Sequence, residues 1–186
     1  DGEPHFMMLD TLRAFALDKL AQHGDEHAIR RRHATYMISL TRKVVRATAD
    51  IAERTRLMMR QHDNFCAAVR WMAEHDPVRG LRLICTTGDE FWHAAGRIAE
   101  GRHWFRVTLA ANDNAPALLR GWAMSLAGML AMTQSDFAEA RRLLLGALAI
   151  HGPADNEHWR FKIVHELGWL AYVIADEHEA RLRFAQ

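Results

Sequence analysis

The chain has 186 residues, 49% apolar and 25% charged, with four prolines, two tyrosines and a formal net charge of +1. Such a length admits one domain, or a small domain joined to a repeat array, and the balanced charge removes any global electrostatic case for direct nucleic-acid contact. The longest uncharged run, residues 121–135, is too short to span a bilayer, so a soluble, cytoplasmic protein without membrane contact is expected.

In chain order, the short apolar run at residues 5–9 reads as the end of a strand belonging to something upstream. Leu9, Leu12, Phe15, Ala16 and Leu20 then recur at helical spacing, and Gly24 supplies a C-terminal cap. A second helix over residues 26–49 carries Ile29, His33, Tyr36, Met37, Leu40 and Val44 on one side. Its other side, Arg30, Arg31, Arg32, Arg42, Lys43 and Arg46, reads as a solvated basic face. A third segment, residues 51–75, is broken near Gln61, with Phe65, Val69 and Met72 inward and Asp63 as a cap for its second part. Asp76-Pro77 closes this helical linker region, residues 9–77.

From residue 78 the chain repeats at about 40 residues, the range of stacked helical hairpins. Gly88, Gly128 and Gly168 stand at equal intervals, and each is followed by a Glu-small-Arg cluster: Glu100-Gly101-Arg102, Glu139-Ala140-Arg141 and Glu179-Ala180-Arg181. Four positions after each small residue comes a large apolar one, Phe105, Leu144 or Phe184. Glycine inside a helix costs about 1 kcal/mol relative to alanine. Three at one spacing imply that a neighbouring helix packs against bare backbone at each of them.

The hairpins pair residues 78–93 with 98–111, and 116–132 with 137–151; a third begins near Asp155, turns at Asp176 and stops at Gln186. Asn114 and Pro116 open the second hairpin and Gly152-Pro153 ends it, giving repeats at 78–114, 115–153 and a truncated 154–186. The expected fold is therefore all-α: an α-solenoid of antiparallel helical hairpins preceded by a helical linker.

Three segments carry a family resemblance: residues 8–20 (MLDTLRAFALDKL), Arg31-Arg32-His33-Ala34-Thr35-Tyr36, and residues 63–71 (DNFCAAVRW). They resemble bacterial transcriptional regulators of the signal-transducing ATPase (STAND) class, of LuxR or winged-helix type. In that family an NB-ARC-like nucleotide-binding domain precedes a winged-helix segment, a linker of this kind and tetratricopeptide-like repeats. The resemblance covers most of the chain, and its motifs are structural. It implies that residues 1–8 are the tail of an upstream winged-helix segment, and that the chain is a piece of a longer protein whose upstream ATPase domain would hold any ATP. Within the tetratricopeptide pattern, Gly88, Gly128 and Gly168 match the small residue of the first helix, Gly101, Ala140 and Ala180 that of the second, and Ala147 a later small position. The period is longer than the usual 34 or so residues. The usual first-helix Trp is replaced by Ile84, Met124 and Val164.

That phase places Arg82, Cys85, Asp89, Trp122, Ser125, Met129, Lys162, His165 and Trp169 along a concave groove. An aromatic, cationic, Met-containing groove suits a peptide or small effector; the competing reading packs Trp122, Met129 and Trp169 between repeats. The expected function is a non-catalytic recognition and regulatory module of a multidomain ATP-dependent transcriptional regulator, with a protein partner or small effector. The alternative is a scaffold for self-association, a homodimer formed through Leu167, Leu170 and Phe184 left uncovered by the truncated hairpin.

No phosphate-cradling Gly-x-x-x-x-Gly-Lys-Ser/Thr or Gly-x-Gly-x-x-Gly stretch occurs, so no cofactor is expected in this chain. Cys66 and Cys85 read as small core residues. His23 and His27 are separated by Gly24, His158 and His165 are two turns apart, and no His-Glu-x-x-His occurs, so no metal site is expected. Trp71 and Trp104 read as core. No catalytic residues are assigned, and an enzyme is the least favoured class.

Overall fold

The computed structural model describes residues 8–112, 114–151 and 157–185, and these are helical, with no strand among them. The strand end expected at residues 5–9 falls mostly outside the described residues, as do the Gly152-Pro153 break, Asp155 and Gln186. Helix α1 (Asp10–His23) ends where Gly24 adopts φ 75°, with the Gly24 and Asp25 amides donating to Ala21 and Leu20 carbonyls. This is the left-handed cap that glycine permits without a Cβ penalty. The helix leans lightly on α2, and Leu9, Leu12 and Phe15 stay exposed.

Helix α2 (Glu26–Ala47) buries Ala34, Met37, Thr41 and Val44. Ile29 and Tyr36, expected inward, are exposed. Neighbouring residues point about 100° apart on a helix, so the stripe chosen by packing against α4 and α5 leaves Tyr36 outside. The basic face is solvated as expected, with Arg30 paired to Glu26 at 2.7 Å. Asp50 caps α3 (Ile51–Met59), accepting from the Ala52 amide at 2.9 Å. The break near Gln61 separates α3 from α4 (His62–His75), but Asp63 lies in the first turn of α4 and is not its cap. Phe65, Val69 and Met72 are buried as read, as are Trp71 and Trp104.

Three helical hairpins follow: α5 (Pro77–Ala94) with α6 (Ile98–Ala110), α7 (Ala117–Thr133) with α8 (Phe137–His151), and α9 (Glu157–Val173) with α10 (Glu177–Phe184). Each turns through one residue in the left-handed region, Gly96 (φ 66°), Ser135 (φ 58°) and Ala175 (φ 61°). The next amide reaches back into the first helix: Arg97 to Trp92 O at 2.9 Å, Asp136 to Ala131 O at 3.0 Å, Asp176 to Ala171 O at 2.8 Å. Serine and alanine rarely adopt positive φ. The Asp136 and Asp176 carboxylates then accept the Glu139 and Glu179 amides, capping α8 and α10. The second-helix small residues Gly101, Ala140 and Ala180 each lie five residues past the left-handed one, so the turn keeps the true phase of the repeat.

The three evenly spaced glycines do not share one role. A Cβ on Gly128 would lie 2.9 Å from Leu144 Cγ, and one on Gly168 would lie 2.8 Å from the Phe184 ring, so both are points of close helix approach. Gly88 is different. Its φ of 72° and ψ of 175° break α5 locally, and an added Cβ would meet nothing within 4 Å. Counting twelve residues back from the second-helix small residue gives Gly128, Gly168 and, in the first hairpin, Asp89. There the gap is made on the second helix instead: a Cβ on Gly101 would lie 2.6 Å from Cγ of the fully buried Trp92.

The first helices α5, α7 and α9 contact one another in sequence, while α6 meets α7 and α8 meets α9, the pattern of a helical array. One buried cluster runs from Ala34 on α2 to Leu143 on α8, so the linker helices share a core with the hairpins. A second cluster joins Ala140, Leu144 and Ala147 to Ile163, Leu167 and Leu170.

Candidate functional site

The predicted groove residues fall into three environments. Cys85, Ser125 and Met129 are buried in the packing, with the Ser125 hydroxyl donating to Trp122 O at 2.8 Å. On the α5/α7/α9 face, Trp122 stands 5.7 Å from Trp159, and Lys162 Nζ lies 5.5 Å from the Trp159 ring centre. The same face holds Glu166, which sequence phasing missed. Burial pushes its carboxyl above the usual range, repulsion from Asp89 adds to this, and His165 and Lys162 pull the other way. Arg82 is exposed on the first half of α5.

His165 lies at the border of this face, with Nδ1 3.8 Å from Glu166 Oε1, and its other nitrogen turns toward Trp169. The Trp169 indole donates to His165 Nε2 at 3.2 Å, and both rings meet Phe184 edge-on. With Phe161 and Tyr172 they form an exposed aromatic face on α9 and α10. Leu167 and Leu170, expected to be partly uncovered, are buried at 4% and 2% exposure, because they pack with Ala131, Ala140, Leu144 and Ala147 of the preceding hairpin, whereas Phe184 is exposed. The side chain of His158 lies outside the described residues.

A sizeable concavity lies in another place. A cleft of about 600 Å³ opens between α6 and α8 over α7, floored by Leu109, Met124, Ala127 and Leu143. Arg102, Arg106, Arg120 and Arg142 ring it, with Glu139 as the acidic member of the lining. Helical spacing explains the arrangement: Arg102 and Arg106 are one turn apart on α6, as Arg120 and Met124 are on α7. Arg142 is bidentate to Glu139 at 2.7 Å, which holds the Glu139 carboxyl below its usual range. Arg102 reaches across to Gln134 and Asp136, tying one hairpin to the next and lowering the Asp136 carboxyl. Arg120 donates to Asn112 O at 2.8 Å. Arg106 faces the ring nitrogen of His103 at 3.3 Å and has no carboxylate within ion-pair reach among the described residues. Of this lining the Glu-small-Arg clusters signalled only Arg102 and Glu139; Arg106, Arg120 and Arg142, and the convergence across three helices, had no local mark.

Conventional nucleophile chemistry finds little support. The Cys66 thiol is pushed up to about 12, first by burial and then by its contact with Glu100, so it stays protonated at neutral pH, and burial raises Cys85 as well. His93 bridges Thr133 at 2.6 Å and lies 3.8 Å from Asp89, but the Thr133 hydroxyl already donates to Met129 O.

The fold and its open faces define an all-α helical repeat protein, a class whose stacked units present extended surfaces. Over 113 residues, 58% of its length, the chain is 29% identical to proteins of Mycobacterium bovis and Mycobacterium tuberculosis provisionally named HTH-type transcriptional regulators. The match covers 12% of each of those proteins, so the chain corresponds to a small part of them. No family model matches, and no solved structure does. No helix among the described residues is long and apolar enough to cross a membrane.

Proposed function

We propose that this chain is the non-catalytic recognition module of a multidomain, ATP-dependent transcriptional regulator, and that it takes a small effector bearing carboxylate or phosphate in the arginine-ringed cleft between α6 and α8. The observation that carries this reading is Arg106: a guanidinium that meets His103 and has no carboxylate partner among the described residues, at the rim of an apolar-floored cleft of effector size. An anion bridging Arg106 and Arg142 would draw α6 and α8 together and change how adjacent hairpins pack. An upstream ATPase domain resting on the array would feel that change as a shift in its conformational equilibrium.

The test is thermal unfolding with citrate and inorganic phosphate as probes, beside Arg106→Glu and, as a control on the solvated α2 face, Arg42→Glu. Stabilisation of the wild type and of Arg42→Glu but not of Arg106→Glu supports the cleft. Equal responses in all three proteins sink it.

Self-association is a second reading, favoured by the exposed aromatic face formed by Phe161, Trp169, Tyr172 and Phe184. It requires a mass that rises with concentration in light scattering, and a constant monomer mass removes it.

A further inference from the structure

His62 and Cys66 lie one turn apart at the start of α4, so their side chains share a face. Glu100, in the first turn of α6, is brought against them from another element. His62 Nε2 is 3.0 Å from Glu100 Oε1, Cys66 Sγ is 3.4 Å from the same oxygen, and Sγ is 3.6 Å from Nε2. Three different donor types, nitrogen, sulfur and oxygen, thus form a small triangle, with His62 buried and the other two half-buried.

The size of that triangle is informative. A tetrahedral zinc ion with bonds of about 2.3 Å to sulfur and about 2.0–2.1 Å to nitrogen and oxygen separates its ligands by about 3.3–3.6 Å. Two of the three edges already have those lengths, and the His62–Glu100 edge needs to open by only a few tenths of an ångström. The second carboxylate oxygen of Glu100 is held by Arg97 at 3.0 Å, which orients Oε1 toward the triangle in the way an outer-shell partner fixes a ligand. The mixed donors match borderline divalent ions and disfavour calcium or magnesium, which require oxygen cages.

We infer that His62, Cys66 and Glu100 form a binding site for a divalent ion of the zinc type, which ties α4 of the linker to α6 of the first hairpin and leaves one coordination position for water. On binding, the Cys66 thiol releases its proton to solvent and the His62 ring carries its proton on Nδ1, so that Sγ, Nε2 and Oε1 each give an electron pair to the ion. The site shares no residue with the lining of the arginine cleft.

Cobalt(II) titration of the chelator-treated protein tests this. The expected result is one cobalt per chain with thiolate-to-cobalt charge-transfer absorption and the intense visible bands of four-coordinate cobalt. Cys66→Ser abolishes the charge transfer, Cys85→Ser keeps it, and Arg97→Gln weakens affinity about 10–100-fold, as loss of an outer-shell partner does. Zinc also raises the melting temperature of the wild type and not that of Cys66→Ser, with circular dichroism verifying that each variant is folded. Absence of charge transfer in the wild type, or its survival in Cys66→Ser, overturns the site and leaves the triangle as a hydrogen-bonded contact.

Discussion

Gly128 and Leu144 are in contact across α7 and α8 so closely that a Cβ on the glycine would stand 2.9 Å from Leu144 Cγ, with the Ala140 carbonyl oxygen at 3.4 Å behind it. Leu144 is fully buried and held on every side, so it has no room to yield. The bare backbone at residue 128 is therefore what sets the distance between these two helices.

Gly128→Ala is expected to destabilise the protein by about 1–2 kcal/mol, overpacking exceeding the roughly 1 kcal/mol gained in helix propensity. Combined with Leu144→Ala, its penalty shrinks by at least about 0.5 kcal/mol, since the two residues share one contact. Gly88→Ala also destabilises, by about 1–3 kcal/mol through its glycine-only backbone conformation, but is additive with Leu144→Ala. Urea unfolding of the two cycles separates contact from conformation, and coupling between residues 88 and 144 would contradict this account.

Gly101→Ala is expected to cost more than Gly128→Ala. The added methyl would meet Trp92 Cγ at 2.6 Å and Leu130 Cδ1 at 3.0 Å, and a fully buried indole has no alternative place to go. Melting temperatures under one buffer rank the two variants, and the reverse order would show that the first hairpin is the more yielding.

His151 supplies a pH dependence. Its ring is buried against the Gly121 backbone, and neither nitrogen has a hydrogen-bond partner among the described residues. Burial disfavours the imidazolium and holds the folded pKa below the usual 6.5. The unfolded chain therefore takes up this proton first as pH falls. Stability from this group is complete above 6.5 and is lost as pH drops through that value toward the lower folded pKa. His151→Leu should flatten the stability profile between pH about 8 and about 5 relative to wild type. Parallel profiles would mean that the ring is reached by solvent in the folded protein.

Much of the fold was legible because it rests on local chemistry. Gly24 and Asp76-Pro77 end or begin helices through caps that depend on a few neighbouring residues, and the hairpin boundaries follow from the same signals, although Asp50 and not Asp63 proved to be the capping aspartate in the segment after α2. The equal spacing of Gly88 with Gly128 and Gly168 misled, because spacing cannot distinguish a glycine needed for its φ from one needed for its missing side chain. Only the conformation of α5 showed that Asp89, and not Gly88, keeps the phase.

The candidate sites were much less legible. The predicted groove treated first-helix positions as one surface, whereas the step of about 100° between neighbouring residues sets Lys162 and Glu166 on one stripe of α9 and His165 and Trp169 on the adjacent one. The arginine cleft and the His62–Cys66–Glu100 triangle each draw on more than one helix, and no window of sequence contains them. The amino-acid order by itself determined an all-helical repeat with its turns, since those depend on hydrogen bonds and steric limits within a few residues. Tertiary structure alone decided which side chains converge, since that depends on the rotation of each helix about its axis, and that rotation is set by how the buried stripes fit together.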